Sequence, residues 1–219
     1  MPRLLRFALV AFALMVSLPV LAADSQATRT HSQAILTPTG KFVQELGNSA
    51  IKIVANKQLN ANQRSTEFSK ILSDGFDLKT IGRFVIGRAW HQATPAQKDE
   101  YLDLFKALVI RNYGSRMTLY TGEGFKVVAT RPESDMDTVV LSQISHPDGS
   151  KPTEIDWRVR QRDGKIGVID VVVEGVSLSV TQKQEYASVI QNNGGSIEGL
   201  LKVMRTQLEK NPSTADASK

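Results

Sequence analysis

Near Thr121-Gly122-Glu123-Gly124 the apolar period of this chain changes from about 3.6 residues to 2, and after Gly175 it changes back. No single element serves both periods, so the sequence predicts helices, then a run of strands, then helices. The strands read as Phe125 to Arg131, Asp137 to His146, Thr153 to Gln161 and Lys165 to Val173. Turn chemistry separates them: Pro132-Glu133-Ser134-Asp135, Pro147-Asp148-Gly149 and Asp163-Gly164. Taking Asp163-Gly164 as a two-residue hairpin loop, Val159 is expected opposite Val168 and Trp157 opposite Asp170. Ile155, Trp157 and Val159 alternate with Asp156, Arg158 and Arg160, giving one dry face and one wet one.

Before the strands, Phe42, Leu46, Ala50, Ile53 and Val54 recur at helical steps from Pro38 onward. Phe68, Ile71 and Leu72 mark a second helix stopping near Asp74-Gly75. A third amphipathic stretch is expected over Phe76 to Trp90, with Leu78, Ile81, Phe84 and Val85. Thr94-Pro95-Ala96-Gln97 has the chemistry of a helix start: a hydroxyl cap, proline at the first helical position and a glutamine that bonds back. The helix it opens carries Tyr101, Leu104, Phe105, Leu108, Val109 and Tyr113. After the strands, Gln182 to Asn193 is expected to be helical, ended by Gly194-Gly195. A last helix, capped by Ser196, buries Ile197, Leu200, Leu201, Met204 and Leu208. The expected class is α+β, with helices covering one face of a curved, mainly antiparallel four- to five-stranded sheet and an apolar cavity between them.

The N-terminus reads as a processing segment. Arg3 and Arg6 precede an apolar run, Phe7 to Val20, and Val20-Leu21-Ala22-Ala23 places small residues for a cut after Ala22. The run is about fourteen residues, short of the roughly twenty that span a bilayer. We therefore expect a signal peptide over 1–22, a flexible lead-in over 23–37, one domain over 38–210, a polar tail over 211–219, and export to the periplasm. His31 falls in the lead-in and receives no role.

The composition closes several chemistries. The chain has no cysteine, which removes thiol catalysis, disulfides and cysteine metal sites. His31, His91 and His146 are its only histidines and stand far apart, so no metal or other cofactor is expected. The net charge of +5 is spread singly and in pairs rather than in a basic stripe, so no nucleic acid partner is expected. Ser177 lacks the glycine two places on that a nucleophile elbow requires. Gly82, Gly87, Gly122 and Gly124 are too scattered for a phosphate loop. Arg88 and Trp90 read as a surface arginine beside a core tryptophan, with a docking surface as the alternative.

Several phrases carry a resemblance. Asp77-Leu78-Lys79-Thr80-Ile81-Gly82-Arg83-Phe84-Val85-Ile86-Gly87-Arg88-Ala89-Trp90 resembles "fD...iar.vlG..W", and Tyr120-Thr121-Gly122-Glu123 resembles "Y.ge". Thr94-Pro95-Ala96-Gln97 with Phe105 and Tyr113 is similar to "t..q...f...f.....y". Asp170-Val171-Val172-Val173-Glu174-Gly175-Val176-Ser177 resembles "Dv.veGvSl", and Gly195-Ser196-Ile197-Glu198-Gly199-Leu200-Leu201 resembles "G...Li..L". These are phrases of the toluene-tolerance, or MlaC-like, family of periplasmic lipid-binding proteins. The likeness runs from about Gly40 to Leu208. Ile166 departs from it, standing where the family usually has tryptophan.

The resemblance implies a fold of NTF2-like character and a carrier that shuttles phospholipid, or a related lipid, between an outer-membrane lipoprotein complex and an inner-membrane ABC transporter complex. A hopanoid-type ligand is the alternative within the same class. A shuttle has reason to be a monomer. Under this reading Phe105, Leu108, Val109 and Tyr113 on the long helix, with Val140, Ile144, Trp157, Val171 and Val173 on the strands, line a tail-binding cavity. For each residue the competing reading is a packed core. Two other classes stay open: an adaptor or chaperone for peptide segments, and a small NTF2-like enzyme with Asp170 as general base. On a continuous strand Asp170 and Glu174 share a face about 13 Å apart, wider than a paired-carboxylate site uses. Asp170 is alternatively a structural acid that bonds backbone amides or Arg158 and fixes the bend into Gly175.

Overall fold

The computed structural model describes residues 37–114 and 122–210. The expected leader, most of the lead-in with His31, Tyr120, Thr121 and the polar tail lie outside the described residues. The first helix, α1 (Pro38–Ala55), is capped by Thr37, whose hydroxyl accepts the Gly40 amide at 3.0 Å. Next come α2 (Ala61–Gly75), α3 (Leu78–Ile86), the four-residue α4 (Ala89–Gln92) and α5 (Pro95–Gly114). The strands follow as β1 (Gly124–Pro132), β2 (Asp137–Ser145), β3 (Thr153–Arg162), β4 (Lys165–Val173) and the short β5 (Val176–Ser177). The last helices are α6 (Leu178–Asn192) and α7 (Ile197–Lys210).

The five strands form one antiparallel sheet in chain order, β1-β2-β3-β4-β5. Two bulges curve it: Val128 is the extra residue on β1 and Ile169 the extra residue on β4. Helices α1, α2, α3 and α6 contact the sheet, α1 chiefly at β1 and the others at β4, and α5 and α7 pack on those helices. The architecture is the α+β layout read from the sequence, a five-stranded antiparallel sheet with helices on one face and NTF2-like in character.

The expected start of α5 is present. The Gln97 amide donates to Thr94 Oγ1 at 3.2 Å and the Thr94 amide to Gln97 Oε1 at 3.1 Å. The stretch Phe76 to Trp90 differs from expectation. Phe76 forms a parallel bridge to Val168, Asp77 caps α3, and Gly87 breaks the helix at φ 60, ψ −128, a conformation open to glycine. Helix α6 starts four residues before the expected Gln182, because the Ser177 hydroxyl accepts the Val180 amide at 3.1 Å and caps it.

The β3–β4 hairpin corrects a register. Asp163 and Gly164 both take positive φ, 51 and 74, the geometry of a type I′ turn, and Val159 does face Val168. Beyond that pair the Ile169 bulge shifts the partner by one, so Trp157 faces Val171 and Arg158 faces Asp170. Glu174 is also corrected. Strand β4 ends at Val173, and Glu174-Gly175, at φ 47 and 81, make a second tight turn into β5. Glu174 therefore does not share a strand face with Asp170.

Buried residues fall into two clusters. One is helical, around Val85, Tyr101, Phe105, Leu108, Leu200, Leu201 and Met204. Within it the Tyr101 hydroxyl donates to the Gly82 carbonyl at 2.9 Å, and burial pushes the pKa of that hydroxyl far above the usual phenol range. The other joins Val43 of α1 to Val127, Val140, Val159 and Val168 of the sheet. Phe76 packs against both clusters. Gln44 fastens α1 to the edge strand, accepting from the Val127 amide at 2.9 Å and donating to the Phe125 carbonyl at 3.3 Å. This anchor ties the outer edge of β1 to α1.

Candidate functional site: two apolar cavities under the sheet

Packing is incomplete between the sheet and its helical cover. A cavity of about 430 Å³ lies between α1, α2 and the concave face. Its helical wall is Leu46, Gly47, Ala50, Ile51 and Val54 of α1 with Phe68, Ile71 and Leu72 of α2. Its sheet wall is Phe125, Ile144, Ile155 and Trp157. Gly47 makes room for the ring of Phe125, which lies against it, and Ala50 offers the cavity only a methyl group. A second cavity, about 230 Å³, lies between α2, α3, α5 and β4, bounded among others by Val85, Phe105, Val109, Tyr113 and Val171. Phe68, Leu72, Phe76 and Trp157 border both and form the partition.

Trp157 is the centre of that partition. Its ring meets Phe76 and Phe125 edge-on at 6.3 and 6.1 Å. Its Nε1 donates to Ser142 Oγ at 2.9 Å, so the indole N–H is spent on the sheet and not turned into either cavity. The wall it offers is hydrocarbon.

Of the residues expected to line a cavity, Ile144 and Trp157 border the larger one. Phe105, Val109, Tyr113, Trp157 and Val171 border the smaller. Leu108, 2% exposed, and Val140, 0% exposed, fill the two cores and border neither cavity. Val173 also borders neither; it is half-buried beside its partner Ile155. Of the helical wall, Leu46, Ala50, Val54, Phe68, Ile71 and Leu72 were read from the sequence as apolar helix faces but not as cavity lining, and Gly47 and Ile51 were not singled out.

Asp170 borders the smaller cavity and is 6% exposed. Oδ1 accepts from the Val171 amide at 2.9 Å and the Ser179 amide at 3.1 Å, and Oδ2 from the Ser177 hydroxyl at 2.7 Å. Both oxygens are engaged, in the manner of a structural acid that joins β4 to the first turn of α6. Arg158 is not a partner: it pairs with Glu133, Nε to Oε2 at 2.7 Å. Ile166 packs on the sheet core at the far end and borders a polar cleft near Arg162 and Lys165, so the departure from the family pattern touches neither apolar cavity. Trp90 is half-buried between Arg83 and Lys98, whose charges lie 5.2 and 5.5 Å from its ring, and Arg88 is exposed. Among the described residues no group of three His, Asp or Glu side chains is placed to hold a metal ion, and no helix is long and apolar enough to cross a membrane.

A curved sheet roofed by helices around cavities walled mainly by hydrocarbon, with the one carboxylate buried among the described residues tied into the frame, defines an α+β protein with apolar space beneath its sheet. The chain belongs to the MlaC protein family, whose model matches residues 44–206. It is 21% identical over 168 residues to the toluene tolerance protein ttg2D of Pseudomonas putida, covering 75% of this chain and 78% of that protein. Its fold is similar to that of a phospholipid-binding protein from Ralstonia solanacearum, solved in complex with a phospholipid. That match has a TM-score of 0.70 at 25% identity and covers 80% of this chain and 98% of the other.

Proposed function

We propose that this protein is a periplasmic lipid carrier. It holds phospholipid acyl chains in the cavities under its sheet and passes lipid between outer-membrane and inner-membrane components of an ABC transport system. The observation that carries the reading is the 430 Å³ cavity, walled almost wholly by aliphatic and aromatic side chains. Its size falls in the ordinary range of ligand sites, about 300–1,000 Å³. The phospholipid complex of the Ralstonia solanacearum protein supports a ligand of this kind.

The physical case is a cancellation. Exposing a diacyl lipid to water uncovers about thirty methylenes at roughly 0.8 kcal/mol each, a barrier on the order of 20 kcal/mol. In a dry cavity the tails exchange one apolar environment for another, so transfer becomes nearly isoenergetic and reversible. Direction then comes from the partners at either membrane. Ile144, Trp157, Phe105, Val109, Tyr113 and Val171 take part in holding the tails. Leu46, Ala50, Ile51 and Ile71 join them.

The test is native mass spectrometry of gently purified protein, followed by extraction of labelled phospholipid from vesicles. Near-stoichiometric copurifying phospholipid and saturable extraction are expected. A protein that never carries lipid and extracts none ends the reading.

A further inference from the structure

We infer that the outer face of α3 and α6, with the α4 turn beside them, is a docking surface for an anionic lipid bilayer. This rests on the carrier reading and says how such a carrier meets a membrane.

The sequence scatters its cations, and the fold gathers one group of them. From Leu78 to Lys98 the chain carries Lys79, Arg83, Arg88 and Lys98 and no aspartate or glutamate. Across from α3, Lys183 is the only charged side chain of α6 from Leu178 to Gln184. Ring contacts tie the group together. Lys183 Nζ lies 4.5 Å from the centre of the Phe84 ring, and a Cβ on Gly87 would stand 3.3 Å from Lys183 Cε. This lysine therefore reaches from α6 over the end of α3. Arg83, next to Phe84, and Lys98, in the first turn of α5, both lie over Trp90. Arg88 follows Gly87 and is exposed, and Lys79 stands one helical turn before Arg83 on the same side of α3.

Among the described residues none of these cations lies within ion-pair distance of a carboxylate, whereas Lys41, Lys70 and Arg205 elsewhere do. The neighbouring acids are engaged. Asp77 accepts from the Thr80 amide and hydroxyl, Glu100 pairs with Arg205, and Glu185 accepts from Gln182 Nε2. Asp99 and Asp103, exposed on α5 beyond Lys98, offset only part of the charge. Apolar side chains are exposed among the cations: Phe84 by 44%, and Val180, one turn before Lys183, by 43%. A surface that adsorbs to a bilayer uses both, charge to draw it to an anionic leaflet and apolar groups to enter between the heads.

The inner sides of the same two helices favour a lipid surface as the partner. Leu78, Ile81 and Val85 of α3 and Leu178, Ser179 and Gln182 of α6 border the smaller cavity. One layer of helix, about 10 Å thick, separates the cationic face from apolar space. A chain docked by this face holds its cavity next to the lipid it is to exchange.

The experiment floats the protein, produced from the full chain, with vesicles of phosphatidylcholine alone or of phosphatidylcholine and phosphatidylglycerol in equal parts. Mass spectrometry of the same preparation reads the lipid it carries. Binding to the anionic vesicles is expected to be about tenfold stronger or more, and added salt should weaken it. Arg83→Gln with Lys183→Gln should lower that binding about twenty-five-fold, roughly fivefold for each cation. Lys79→Gln with Arg88→Gln, which leaves the ring contacts in place, should act in the same direction. Lys41→Gln with Lys70→Gln removes as much charge from α1 and α2 and should bind as the native chain does. All these chains share one N-terminus, so differences between them read this face alone. No preference for the anionic vesicles overturns the docking surface and leaves this face to an acidic protein partner. An equal loss from the Lys41 and Lys70 pair also overturns it, because net charge alone would then govern binding. Lipid carried by a chain that shows no such preference leaves the carrier standing, and a chain that docks but never carries lipid ends the carrier and keeps the surface.

Discussion

Trp157 Nε1 donates to Ser142 Oγ at 2.9 Å, and that same hydroxyl donates onward to the Ile155 carbonyl at 2.9 Å. A short relay across two central strands thus holds the indole broadside between two cavities. Trp157→Ala should join them and cost about 3–5 kcal/mol of stability, the range for losing a large buried ring. Trp157→Phe keeps a ring in the partition and loses the relay, at about 1 kcal/mol. Native mass spectrometry should show larger or additional bound lipid in the alanine variant only, and thermal unfolding should rank native, phenylalanine, alanine.

Gly47 lies against the ring of Phe125, and a Cβ at position 47 would overlap that ring. Phe125 borders the larger cavity, so in Gly47→Ala either its ring shifts into that cavity or the helix draws back. We expect about 1–3 kcal/mol of overpacking cost and a several-fold fall in lipid extraction. Gly47→Ala combined with Phe125→Leu should recover extraction. A double variant as poor as the single one would show that the helix, and not the ring, had yielded.

The contrast between these two sites shows how far the sequence could be read. Trp157 stood out because it sits on the dry alternation of a strand bounded by clear turns. The Asp163-Gly164 turn fixed the hairpin as far as Val159 and Val168. The pairing beyond it failed at Ile169, since an unbroken run such as Val168-Ile169-Asp170-Val171 gives no sign of which residue will be extra. Leu46 and Phe68 were read as helix faces and not as cavity wall, and Ile51 went unmarked, for a different reason. An amphipathic stripe reads the same whether it meets side chains or a void. The available signal was small residues on that stripe, Gly47 and Ala50, where a packed core would want bulk. The start of α6 was hidden because Ser177-Leu178-Ser179-Val180-Thr181 has no helical period; its cap depends on Asp170, distant in sequence and adjacent in space.

Asp170 is expected to act on stability alone. Asp170→Ala leaves the Val171 and Ser179 amides and the Ser177 hydroxyl without their acceptor, a loss of about 2–4 kcal/mol. Asp170→Asn keeps one acceptor oxygen but turns an NH₂ toward a donor, costing about 1–2 kcal/mol. Ser177→Ala should lie below both. Lipid bound per folded molecule should remain at the native level in Asp170→Asn, measured by mass spectrometry after size-exclusion. A folded variant that had lost binding would give Asp170 a direct part in holding the ligand.

Two carboxylates project from the face of the sheet away from the helices, and they should respond to pH with opposite signs. Arg160 grips Asp137 with two bonds of 2.7 Å, and this holds the Asp137 carboxyl below its ordinary value of 3.8. A lowered folded pKa means stability present above the unfolded value and lost as pH falls through the folded one. Asp137→Asn should therefore cost about 1 kcal/mol near neutrality, a deficit that shrinks below about pH 4 as the native carboxyl protonates. Asp156 is the reverse: partial burial first, and the neighbouring charge of Glu154 second, raise its pKa. Ionised Asp156 is therefore a liability above its unfolded pKa, and Asp156→Asn should be slightly more stable than native at pH 7, the gain vanishing in acid. Urea midpoints at pH 7 and pH 3 for the two variants check both signs. The same direction of change in both would mean that the Arg160 pair, or the burial of Asp156, does not govern these groups.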